Sequence, residues 1–176
     1  MEAITQFKQG LATERREARF KRSVAGWVLT VLNTLATLNS TFFFLGMLET
    51  GVVGWLMLNT CAPSVVLFVI GFLLASPLVM VAASVPMFRY GTLGLFAFGW
   101  DAYNIIPQIG HILMTLAVIY VMVYIVRSRR WKTLGLGLAL GLAILIPFMV
   151  VQRSWFNAHP EMLEMLFSGD WAPSGQ

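Results

Sequence analysis

The chain has 176 residues, of which 58% are hydrophobic and 11% are charged, against about a quarter charged in an average soluble domain. This composition excludes an ordinary water-soluble globule and predicts an integral membrane protein whose first partner is the lipid bilayer. The net charge of +4 does not indicate a nucleic-acid partner, because the basic residues lie at the ends of apolar runs, where they set membrane topology.

The N-terminal segment, residues 1–23, is predicted to be a cytoplasmic, basic amphipathic leader. Its helical pattern leaves Phe7, Leu11 and Phe20 available to contact lipid, while the cations favour anionic headgroups. The basic residues of the leader are Lys8, Arg15, Arg16, Arg19, Lys21 and Arg22.

Four long uncharged runs follow the leader. They are Val24–Leu48, Gly51–Phe88, Ala102–Val126 and Thr133–Gln152. Each reaches the length of about 18 residues that is needed to cross a bilayer core. Because backbone amides in hydrocarbon must be satisfied within the chain, we predict α-helices. The expected fold is all-α, a polytopic transmembrane helical bundle with four to five membrane helices in a single domain over residues 24–152.

The number of crossings is constrained by the cations between the last two runs: Arg127, Arg129, Arg130 and Lys132. With turns at Asn59–Ser64 and Val85–Gly91, three preceding crossings would place these cations outside, against the positive-inside rule. One solution is a hairpin that turns near Asn39 and Ser40. A second is a short membrane helix over Met87–Tyr103 with its turn at NIIPQ, and a third tolerates the cations outside. We favour five crossings by one of the first two routes.

The run that begins at Trp100 carries a stripe of polar side chains. At 100° per residue, its members project from one helical face: Asp101, Asn104, Gln108, His111 and Thr115. Such a stripe serves as hydrogen-bonding glue between helices, the interpretation we favour, or lines a path for protons or ions. Pro107 leaves a further choice, because it either kinks this helix or marks a turn that breaks the stripe.

The first run carries a milder stripe of hydroxyl and amide side chains, for which close helix packing is the favoured interpretation. Its members are Thr30, Asn33, Thr34, Thr37 and Thr41. The two stripes could satisfy each other if these helices are neighbours.

The last run is rich in small residues on two nearly opposite ridges. One ridge holds Gly135, Ala139 and Ala143, and the other holds Gly137 and Gly141. Small residues at a spacing of four let helices approach closely in lipid. Because a bundle of four or five helices leaves little room for a helix packed on both sides, we predict contact with another subunit, either a second copy or a different membrane protein.

No catalytic or metal-binding motif is found in the sequence. Cys61 is the single cysteine, the two histidines lie far apart, and haem ligation by His111 would require a second histidine from another chain. We therefore expect no enzyme activity, no cofactor and no metal. Residues 153–176 are expected to form a short acidic amphipathic tail.

These features together predict a non-enzymatic multi-pass protein of a bacterial inner membrane with its N-terminus in the cytoplasm. It would be a subunit of a homo-oligomer or of a larger envelope complex. The alternative function is a small ion or proton channel, or a transport component, that uses the polar stripe from Asp101 to Thr115.

Overall fold

The structure, a computed structural model, describes residues 22–45, 51–97, 99–100 and 105–168, with no side-chain description for residues 43–45 and 165–168. Within these ranges every regular element is helical. The helices are α1 Val24–Leu45, α2 Gly51–Leu58, α3 Cys61–Leu73, α4 Pro77–Met87, a π-helical turn Phe88–Thr92, α5 Gly94–Ala97, α6 Ile105–Arg127, α7 Trp131–Ala158 and α8 Pro160–Ser168.

The predicted all-α class is confirmed. Three helical units are long and apolar enough to cross a membrane: the continuous unit Pro77–Ala97, α6 and α7. The pair α2 and α3, which is bent by 76°, passes the same test if it is taken as one broken span. The structure therefore supports three to four membrane helices, where the sequence predicted four to five.

Helix α1 runs without interruption from Val24 to Leu45, so the hairpin turn considered near Asn39 and Ser40 is absent from it. Its polar side chains bond back to the helix that carries them: the Thr30 hydroxyl donates to the Gly26 carbonyl, and Thr34 to Thr30. Hydroxyls satisfied in this way do not require the backbone to turn.

The break between α2 and α3 falls at Asn59 and Thr60, inside the predicted Asn59–Ser64 turn. Helix α3 then ends in a Schellman motif, in which Ser76 N donates to Gly71 O and Ala75 N donates to Phe72 O. Ala75 has a positive φ of 51°, where glycine is the usual residue. Ser76 also accepts a bond from Val79 N, and so caps the start of α4.

The turn predicted at Val85–Gly91 was wrong, because this segment lies inside the unit Pro77–Ala97. Pro86 sits within α4, and the π-helical turn begins two residues later. A proline interrupts the regular bonding of a helix, and a wider turn beside it keeps the chain helical. In a membrane such an interruption is tolerated where neighbouring helices cover the freed backbone groups.

Several helix ends lie together at one end of the bundle, which we call the basic end. The Arg22 guanidinium donates to the Phe72 and Leu73 carbonyls, and so joins the start of α1 to the end of α3. The hydroxyls of Ser23 and Tyr120 lie 2.9 Å apart and join α1 to α6. Since α6 ends at Arg127 and α7 starts at Trp131, the cations between them lie at the same end as Arg22.

The buried core lies between α3, α4 and α6. Its largest fully buried side chains are Phe68, Phe72, Met80, Met87, Ile125 and Gln108. Helix α7 packs mainly on α4 and leaves most of its surface exposed. It continues to Ala158, past the boundary predicted at residue 152, and α8 falls within the predicted tail. The leader lies outside the described residues up to residue 21.

Candidate functional site

The described part of the predicted stripe faces the interior of the bundle. Gln108 and His111 are buried, and Thr115 is half-buried. Asp101 and Asn104 lie outside the described residues. Pro107 is the third residue of α6, where its missing N–H has no intrahelical partner to lose, so it does not interrupt this helix.

Among the neighbours of His111 are one residue of its own helix and two from other elements. Its Nδ1 lies 3.2 Å from Gln108 Oε1, and its Nε2 lies 3.9 Å from the Cys61 sulfur. Gly94 packs directly against the imidazole, because a Cβ at this glycine would lie 2.8 Å from the ring. The histidine therefore sits between the start of α3 and the short helix α5.

Further polar contacts surround His111 and join the remaining helices. The Thr92 and Thr115 hydroxyls lie 3.1 Å apart, and Ser40 donates to Asn59 Oδ1. Tyr90 donates to Gln152 Oε1, and Gln152 Nε2 donates to the Met57 carbonyl. We call this set the polar cluster; its members are Ser40, Asn59, Cys61, Tyr90, Thr92, Gln108, His111, Thr115 and Gln152.

Among the residues that the structure describes, the bonds of the polar cluster given above involve no carboxylate, lysine or arginine, and they connect α1, α2, α3, the π-helical turn, α6 and α7. Asn59 Nδ2 and Trp55 Nε1 are buried donors without a hydrogen-bond partner in the described part of the chain. Sequence periodicity predicted that Gln108, His111 and Thr115 share one face of a helix, and all three belong to the polar cluster. It missed Cys61, Tyr90 and Gln152, because each belongs to a different helix and only the fold brings them together.

The stripe on α1 contacts α6 through Asn33. Its Nδ2 donates both to Leu29 O, in its own helix, and to Leu113 O, in α6. Asn33 is buried, as is Thr30, whereas Thr34 and Thr37 are half-buried. This bond is of the interhelical kind that the packing interpretation predicts.

One small-residue ridge of α7 is packed against α4. A Cβ at Gly137 would lie 2.6 Å from Val81, and one at Gly141 would lie 2.6 Å from the Ala82 oxygen. That oxygen would ordinarily accept from the N–H four residues later, a position occupied by Pro86, which has none. Gly141 thus packs against the carbonyl that the proline frees.

The other ridge of α7 has no neighbour in the described chain. Gly135, Ala139 and Ala143 are all exposed, and a Cβ at Gly135 would find nothing within 4 Å. We call these three residues the outer ridge. They lie on the side of α7 away from Gly137 and Gly141, as the helical spacing predicts.

Comparisons with known proteins identify no relative of this chain. No family model matches the chain, and searches of curated proteins and of solved structures find no match. Function must therefore be inferred from the two features described above, the polar cluster and the outer ridge. In the described part of the chain, no three or more His, Cys, Asp or Glu side chains come together in a way that could hold a metal ion.

Proposed function

We propose that the protein is a non-enzymatic integral membrane subunit that assembles through the outer ridge of α7. The partner is a second copy of the chain or another membrane subunit. The observation that carries this proposal is the contrast between the two ridges of one helix: Gly137 and Gly141 are covered by α4, while the outer ridge is bare.

The presence of small residues on a lipid-facing helix surface needs a physical explanation. Apolar side chains gain nothing from the hydrophobic effect when they leave lipid for another helix, so association depends on close van der Waals packing and hydrogen bonds. Glycine at an exposed helical position also costs about 1 kcal/mol of helix propensity relative to alanine. Gly135 bears this cost without a contact inside the described chain, and a helix docked on the outer ridge would offset it.

The arrangement of charges supports a multi-pass topology with a cytoplasmic N-terminus. Arg22 and the cations from Arg127 to Lys132 share the basic end, which the positive-inside rule assigns to the cytoplasm. Helix α1 has 22 residues and reaches about 33 Å, enough for one crossing. Counting α1, the broken span, Pro77–Ala97, α6 and α7 then gives five crossings, in a bacterial inner membrane, with α8 outside.

Native mass measurement in lipid nanodiscs tests the proposal. Wild type is expected as a homo-oligomer, or as a complex with another membrane subunit when it is isolated from its own membrane. Ala139→Leu places a bulky side chain on the outer ridge and should yield the monomer. Leu140→Phe, which enlarges an exposed side chain away from that ridge, is the matched control and should assemble like wild type. A solitary wild-type monomer in both preparations would contradict the proposal.

The alternative prediction, a channel lined by the polar stripe, has less support. Gln108 is 0% exposed and His111 is 7% exposed, and both bond to groups on neighbouring elements. Groups satisfied in this way stabilise the packing of one helix on another. We therefore expect no proton flux into liposomes that contain the wild-type protein. A flux that disappears with Asp101→Asn and His111→Ala together would establish the alternative.

A further inference from the structure

Cys61 and His111 are 50 residues apart in the sequence, yet the fold places their side chains together. The Cys61 sulfur lies 3.9 Å from His111 Nε2. These side chains are, respectively, the only cysteine and one of the two histidines of the chain. Thiolate sulfur and imidazole nitrogen are both strong ligands for soft transition-metal ions.

The hydrogen-bond network orients the imidazole toward the sulfur. The Gln108 amide nitrogen donates to the Gly99 carbonyl, which leaves the Gln108 oxygen to accept from His111 Nδ1. With the proton on Nδ1, the lone pair of Nε2 points toward Cys61. A histidine that binds a metal through one nitrogen commonly donates its other N–H to a fixed oxygen, as this one does. Gly94 packs directly against the imidazole ring.

The sulfur lies at the start of a helix, since Cys61 is the first residue of α3. Cys61 is half-buried, whereas His111 is buried. Metal binding must displace the thiol proton, because the thiolate is the form that binds the metal.

We propose that Cys61 and His111 together bind one Cu(I) ion as a neutral thiolate–imidazole complex. With metal–sulfur and metal–nitrogen bonds of about 2.3 and 2.0 Å, one ion reaches both atoms at their present separation with an S–metal–N angle of about 130°. A further opening of about 0.4 Å makes the three atoms linear, which is the geometry that two-coordinate Cu(I) prefers.

Both charge and coordination number select Cu(I) over Zn(II). One thiolate neutralises Cu(I), so the complex carries no net charge into an apolar interior, whereas Zn(II) would remain cationic at high cost. Structural zinc also needs four ligands, and no group of three His, Cys, Asp or Glu side chains was found in the part of the chain that the structure describes.

Binding requires no redox step. The S–H bond of Cys61 breaks, its proton leaves to solvent, and one copper–sulfur and one copper–nitrogen bond form while copper stays in the +1 state. The uptake of one copper ion therefore releases one proton. The site uses α3 and α6, so it does not depend on assembly through the outer ridge.

Anaerobic titration of the purified full-length protein with Cu(I), supplied as its bicinchoninate complex, tests this inference. Wild type should remove one copper ion per chain from the chromophore. Cys61→Ser and His111→Gln should each lower uptake by about tenfold or more. His159→Gln is the matched control and should bind like wild type. Wild-type uptake well below one ion per chain, or full uptake by either site variant, would overturn the proposal.

A second measurement needs no variant, and it applies even if a substitution prevents folding. The copper X-ray absorption spectrum of the wild-type complex should show one sulfur and one nitrogen neighbour. A spectrum with nitrogen and oxygen neighbours alone would place the ion elsewhere and refute the site. Zn(II) in equimolar amount should not displace Cu(I), and displacement would refute the stated selectivity.

Discussion

Replacement of Gly141 by alanine tests how closely α7 approaches α4. The new Cβ would lie 2.5 Å from Val85 Cγ2, 2.6 Å from the Ala82 oxygen and 2.7 Å from Val85 Cβ. Carbon atoms ordinarily pack at about 3.5–4.0 Å, so the two helices must separate by about 1 Å. A rotamer change can move Val85 Cγ2, but the Val85 Cβ and the Ala82 oxygen are fixed by the backbone and cannot turn away.

The expected cost follows from these contacts. Overpacking of a tight interior costs about 1–3 kcal/mol, and a backbone obstacle places Gly141→Ala in the upper half of that range. Gly135→Ala is the matched control, because its Cβ would meet nothing within 4 Å. Both variants gain the same helix propensity, so their difference of about 2–3 kcal/mol isolates the packing cost. This corresponds to roughly 4–12 °C between the two melting temperatures.

Thermal unfolding in dilute detergent, followed through the fluorescence of the six tryptophans, measures this difference. The double variant Gly141→Ala with Val85→Ala should recover part of the loss, since it removes the Val85 Cγ2 contact and keeps the contacts with the Cβ of residue 85 and the Ala82 oxygen. Equal melting temperatures for Gly141→Ala and Gly135→Ala would refute the close approach of α7 to α4.

Three further predictions concern other parts of the bundle. Gly94→Ala should displace the His111 ring and speed the alkylation of Cys61 by a lipid-soluble maleimide, whereas Gly110→Ala, whose Cβ would come no closer than 3.9 Å to a neighbour, should not. Ala75→Gly should stabilise the protein by about 1 kcal/mol in the same unfolding assay, because Ala75 has a positive φ; a loss of stability would contradict this account of the turn. Arg22→Met keeps the side-chain length but removes the bonds to the end of α3, and should lower the free energy of unfolding by about 1 kcal/mol; an unchanged value would show that these bonds contribute nothing.

The sequence predicted the helical class from the lengths of its uncharged runs, because hydrocarbon leaves the backbone few alternatives. It also predicted the two ridges of α7, since a spacing of four residues specifies a helical face directly. Periodicity could not show which ridge would be covered. That depends on Pro86 and Val85 of α4, which are more than fifty residues away in the chain.

The incorrect turn at Val85–Gly91 has a physical cause. Proline and glycine mark turns in water-soluble proteins, but in a membrane helix a neighbouring helix can cover the freed carbonyl, as Gly141 covers Ala82. The contact between Cys61 and His111 also could not be predicted from the sequence. Neither residue lies in a recognisable ligand spacing, and the contact arises only when α3 and α6 pack together.

Cysteine cross-linking in native membranes tests assembly through the outer ridge most directly. In a Cys61→Ser background, Ala139→Cys and Ala143→Cys should each form a cross-linked species under mild oxidation or with a short bifunctional maleimide. The mass of that species would distinguish a second copy from another subunit. Leu140→Cys, exposed on a different side of the same helix, should give no cross-linked species. The absence of a cross-linked species at both ridge positions, or equal cross-linking from Leu140, would contradict the central claim.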